Sequence, residues 1–136
     1  MKKALLALLA LAACQPSNPY PTGPAGSPVG VEWKLTELNG QPAGNGANGQ
    51  PATLTLSKDG SKASGYAGCN QFSGSFTLAD DALIFGPLAM TRMACADGDA
   101  LESAYTRALA ATTSQRVAGG TLSLMAGSTV VARFTK

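Results

Sequence analysis

Two cysteines, Cys69 and Cys95, stand 26 positions apart, and each sits in a run of small and polar residues: Gly68-Cys69-Asn70-Gln71-Phe72-Ser73-Gly74 and Leu88-Ala89-Met90-Thr91-Arg92-Met93-Ala94-Cys95. A thiolate beside Arg92 could in principle act as a nucleophile, but such chemistry needs a partner base as well as a nearby cation. The chain has no histidine. That removes the Ser-His-Asp and Cys-His arrangements and the commonest transition-metal ligand together. With Cys14 assigned elsewhere below, two thiols are too few for a thiolate zinc centre. Redox or nucleophilic work by these sulfurs is therefore disfavoured. The sequence leaves a structural disulfide as the preferred reading and a pair of buried free thiols as its alternative.

Other chemistry-bearing patterns reduce to turns and caps. Residues 44–49 (Gly-Asn-Gly-Ala-Asn-Gly) formally match a dinucleotide fingerprint, which requires a strand before it and a helix after it. Here Pro42 and Pro51 bracket the run and a strand pattern follows, so it reads as a flexible loop. Asp97, Asp99 and Glu102 lack calcium-loop spacing, and the start of a helix accounts for them: Asp99 as N-cap and Glu102 three residues later in a capping-box arrangement. Asp80 and Asp81 fit a hairpin turn, where the Asp side chain bonds nearby backbone. No catalytic residue, metal ligand or cofactor site is expected.

The elements that would position the motifs follow from periodicity. Alternation marks strands at Trp33 and Leu35, at Leu54 and Leu56, and along 71–78, where Phe72, Gly74, Phe76 and Leu78 share a face. It returns at Leu83 and Phe85, at Leu122 and Leu124, and at Val130, Ala132 and Phe134. Turn residues separate these runs at Asn39-Gly40, Asp59-Gly60, Asp80-Asp81 and Gly119-Gly120. One segment changes period: Leu101, Ala104, Tyr105, Ala108 and Leu109 line a helical face that ends near Thr112. The expected fold is mainly β (α+β), a small antiparallel, partly open β-barrel with one inserted helix, occupying residues 31–136.

The first thirty residues carry a different message. Lys2 and Lys3 precede an apolar run over residues 4–13, whose ten residues of helix would reach only about half of a bilayer core. The run fits the h-region of a secretory signal over residues 1–13. Its end, Leu11-Ala12-Ala13-Cys14, resembles a bacterial lipobox, so Cys14 is the expected lipidation site. Acyl chains on that residue would anchor the protein at about 0.8 kcal/mol per buried methylene. Gln15, rather than Asp, after the cysteine points to the outer membrane in a Gram-negative host. Residues 14–30, with prolines at 16, 19, 21, 24 and 28, read as a tether able to span up to roughly 50 Å at about 3.1 Å per residue. Export also places the cysteine pair in an oxidising compartment. Removing Lys2 and Lys3 leaves eight basic and eight acidic residues, so the formal charge of +2 vanishes. The scattered cations offer no stripe for phosphates, and nucleic acid is not an expected partner.

Taken in order, the two cysteine-bearing motifs, the Trp33-Lys34-Leu35 opening, Asn39-Gly40, 83–87 and the helix with Glu102 and Leu109 resemble the META domain of HslJ-like bacterial lipoproteins. The resemblance covers roughly residues 31–135. It implies a small barrel crossed by a helix, and an association with heat shock, envelope stress and novobiocin tolerance. It carries no catalytic assignments, so Asn70, Thr91 and Arg92 enter as motif residues without a role. The functional expectation is a non-catalytic, lipid-anchored envelope protein whose partners are the membrane, through Cys14, and an envelope protein. An inhibitor, chaperone or pilot module and a hydrophobic-ligand-binding barrel are the alternatives. Arg92, inside an apolar run, is expected to be buried and paired.

Overall fold

The computed structural model describes residues 26–136. The signal segment, Cys14 and most of the proposed tether lie outside these residues. Nine strands and one helix follow in chain order: β1 (Glu32–Leu38), β2 (Gln41–Pro42), β3 (Thr53–Leu56), β4 (Lys62–Tyr66), β5 (Gln71–Ala79), β6 (Ala82–Met90), α1 (Asp99–Ala111), β7 (Ser114–Ala118), β8 (Thr121–Ala126) and β9 (Thr129–Thr135). All pairings between them are antiparallel. The order runs β2-β1-β3-β4-β5-β6-β7-β8-β9, and β9 returns to β1 to close a ring. The ring is nearly open at one seam, where β6 meets β7 through the single pair Ala82–Ser114. The described residues are thus mainly β, a partly open ring with one helix.

Each turn named from the sequence joins adjacent strands. Asn39 and Asp80 adopt left-handed backbone (φ 51° and 53°), a region that Asn and Asp tolerate better than most residues. Ser57, then Ser61, hydrogen-bond the Asp59 carboxylate in the β3–β4 turn and hold its pKa down near 2. In β6, Leu83 and Phe85 face inward, and Leu88 and Met90 pack inward only because the register shifts between them. Gly86-Pro87 fills that bulge, where the missing proline N–H costs no ladder bond.

Alternating side chains from β1, β3, β5, β6, β8 and β9 meet inside the ring. Trp33, Leu54, Leu56, Leu83, Leu122, Leu124 and Phe134 are completely buried. The helix lies over the seam and sends Tyr105, Ala108 and Leu109 into this core, on the face its 3.6-residue period predicts. Tyr105 meets Phe72 edge-on at 5.9 Å and Phe134 at 6.1 Å, and its hydroxyl donates to the Thr53 carbonyl at 2.8 Å. Burial pushes its phenol pKa well above the ordinary tyrosine value. The helix ends where expected, with Thr112 as C-cap.

Its beginning differs from expectation. The N-cap is Gly98 at φ 97°, with no side-chain cap bond, and Asp99 is already inside the helix. A Cβ at Gly98 would collide with the Gly68 carbonyl oxygen. Close docking of the helix start on the 67–70 turn therefore overrides the usual preference for a polar cap.

Two further segments depart from the sequence reading. Residues 26–30 bond to the domain: Gly26 N–H donates to Val117 O (2.9 Å), Gly30 N–H to Leu56 O (2.7 Å), and Pro28 O accepts from the Trp33 indole (2.8 Å). The 44–49 loop, expected to be flexible, is fastened. Ala47 N–H donates to Gly68 O at 2.7 Å, and Asn48 N–H reaches the Tyr66 hydroxyl at 3.3 Å.

Candidate functional site

The two motifs meet at the end of the β5–β6 ladder. Cys69 ends a tight turn after β4, and Cys95 lies in the 91–98 loop between β6 and α1. They form a disulfide with Cα atoms 5.9 Å apart. Closing a loop of this length stabilises a small domain by about 3 kcal/mol on the chain-entropy account. Of the two readings left open by the sequence, free thiols and a bridge, the bridge is the one present.

Asn70 is the hub of the arrangement and is 5% exposed. Its Oδ1 accepts from the Met93 N–H at 2.6 Å and from the Thr91 hydroxyl at 3.1 Å. Its Nδ2 donates to Glu102 Oε1 at 3.1 Å and to the Met93 carbonyl at 3.4 Å. The other carboxylate oxygen, Glu102 Oε2, accepts from the Asn70 backbone N–H at 2.6 Å. Thr91 Oγ1 also accepts from the Gln71 N–H at 3.1 Å. One asparagine thus ties together the start of β5, the segment after β6 and the first turn of α1. Hydrogen bonds to a carboxylate are among the stronger kind, and Asn70 itself is almost wholly buried.

Glu102 is the functional residue that sequence reasoning misassigned. It does not fold back on the N-cap as a capping box requires; its carboxylate grips Asn70, 32 positions away in the chain. The only sequence signal was an acid in a first helical turn, which fits either role.

Arg92 also contradicts expectation. It is exposed, and among the described residues the one ion pair is Arg133–Glu37. The apolar run does not continue as a buried strand past Met90. Residues 91–94 leave the sheet, held through Asn70 and Cys95, and Arg92 projects outward while Met93 is 61% exposed. A surface arginine needs no buried counter-charge.

Beside this hub lies an open cleft of about 720 Å³, lined by 88–94, Asn70 and Glu102. A second hollow of about 470 Å³ continues it between Leu88, Met90 and the helix residues Thr106 and Ala110. Among the described residues no cluster of three His, Cys, Asp or Glu side chains could hold a metal, and no helix is long and apolar enough to cross a membrane.

The family model for the META domain matches residues 28–136, both motifs included. The chain belongs to the META domain family. An NMR structure of a protein from Burkholderia xenovorans is similar to it, with 31% identity, a TM-score of 0.64, and coverage of 89% of this chain and 97% of that one. A second NMR structure, 24% identical with a TM-score of 0.58, covers 76% of this chain and 87% of its own and shows the fold alone. No curated protein matches. In this META domain the two motifs act as one fastening, locking a corner of the ring around Asn70.

Proposed function

We propose that this META domain is the globular part of a non-catalytic, lipid-anchored cell-envelope protein that acts by binding another envelope component. The observation that carries the reading is the commitment of the motif polar groups to one another. Both cysteines are bonded, and Asn70, Thr91 and Glu102 satisfy each other. Among the motif residues left facing solvent are Arg92 and Met93, which with the cleft beside them make a surface suited to contact rather than turnover. The anchor rests on the lipobox ending at Cys14, and the link to envelope stress and novobiocin tolerance follows from the HslJ-like resemblance. A hydrophobic-ligand carrier is less well supported, because Trp33, Tyr105 and Phe134 fill the centre of the ring.

The anchor is tested by fractionating cells that express the full chain and its Cys14→Ala variant. The native chain is expected in the membrane pellet, extractable only by detergent, and the variant in the soluble fraction. Equal partition of both would remove the anchor from the proposal.

A further inference from the structure

The seam of the ring leaves one strand edge bare, and its geometry defines what can cover it. Thr91 N–H donates to Gln71 O at 3.0 Å, so ladder alternation turns Ala89 and Thr91 toward β5 and turns the N–H and C=O groups of Leu88 and Met90 away from it. On that outer side β6 pairs with β7 only at Ala82, with Leu83 N–H reaching Thr113 O at 3.1 Å. Farther along, the place of the next strand is taken by α1, which stands off from the edge. Glu102, Thr106 and Ala110, one helical turn apart, form the far wall of the two hollows described above. No hydrogen bond from the described residues reaches the outward groups of Leu88 and Met90.

We infer that this groove takes an extended segment of another polypeptide, added as a short strand on residues 88–90 and carrying a carboxylate that meets Arg92 just beyond them. Three observations select that occupant. Unpaired backbone donors and acceptors on a sheet edge are satisfied most fully by a strand. Leu88, Met90 and the exposed Met93 offer apolar contact beside it. Arg92, outside any ion pair of the described residues, supplies the unmatched positive charge at the open end, while the Glu102 carboxylate is already held by Asn70. The edge from 88 to 90 is about 7 Å long at the rise of a strand, enough to pair about three residues. Gly86-Pro87 ends it on the other side, since a bulge and a proline block further pairing. A second copy of this chain fits poorly, because its own α1 would have to enter the same groove.

The inference deepens the binding role proposed above and rests on it. The test uses the mature full chain and a library of random heptapeptides, followed by amide shift mapping with the selected peptides. Enriched sequences should carry an acidic residue and alternate apolar positions, should protect the Leu88 and Met90 amides, and should shift the amide of Arg92. Arg92→Glu, a surface change, should weaken them about tenfold or more, as reversal of a contacting charge does. Met90→Pro removes an outward N–H that no ladder bond uses, and should abolish binding while the rest of the amide spectrum stays dispersed. No selection, shifts confined to another face, binding indifferent to both substitutions, or self-association in place of peptide capture would each overturn the inference. The failures are separable. If envelope crosslinking from a position outside the groove still yields a defined partner, strand addition is wrong and the binding role stands. If it yields none, the role itself falls.

Discussion

Asn70 and Arg92 are neighbours in the motif pattern and opposites in physical role. Asn70 is buried and makes hydrogen bonds in every direction its amide allows, so Asn70→Ala strands the Met93 N–H and takes from Glu102 Oε1 its side-chain donor, leaving the carboxylate only the backbone N–H of residue 70. Loss of such a hub should cost about 3 kcal/mol, a fall in melting temperature of roughly 10–20 °C for a domain of this size. Arg92→Ala should leave stability within about 0.5 kcal/mol, as expected of an exposed side chain. Thermal denaturation of both variants checks the contrast, and a shared large loss would show that Arg92 is structural after all. If Arg92→Ala stays folded yet loses the envelope phenotype, Arg92 acts at a site. The sequence made Asn70 legible as a turn residue because its type and its glycine neighbours are local facts. It hid the environment of Arg92, which depends on where the chain leaves the sheet. Glu102 was hidden for the same reason, its partner being 32 residues distant.

At the level of elements, the strands and the helix were legible wherever one face is buried and the other is wet. Tyr105, Ala108 and Leu109 reveal themselves by spacing, as do Phe72 and Phe76. The helix start was misread because capping preference is a local rule, whereas Gly98 answers to a backbone contact made across the fold. Gly98→Ala should therefore destabilise by about 2 kcal/mol or more, since it adds left-handed strain to a collision with Gly68. Chemical denaturation gives the magnitude, and hydrogen exchange should show the first turn of α1 opening earliest. A neutral effect would mean that the helix start is free to shift. The 44–49 loop repeats the lesson, since its glycines looked like flexibility, and one of them, Gly46, instead permits close approach to Gly68.

For the molecule as a whole, the ring could be guessed from the number and spacing of strands, but not its closure. The pairing of β9 with β1 joins residues nearly a hundred positions apart, and nothing in the periodicity of either strand names the other. Closure makes Phe134 a keystone, packed between β1 and β8 and against Tyr105. Phe134→Ala should cost about 3–5 kcal/mol by leaving a cavity at that junction. Fluorescence of Trp33 and far-ultraviolet circular dichroism should then report a single earlier transition, whereas separate transitions would show that the two sides of the seam unfold independently.

The bond from Gly26 to Val117 fixes where the chain enters the domain. The chain enters the fold beside β7, which runs on past the β5–β6 hairpin, whereas the bare edge ends at Met90, at the far end of β6. A segment captured at the bare end and an attachment made ahead of Gly26 would therefore not compete for the same side of the domain.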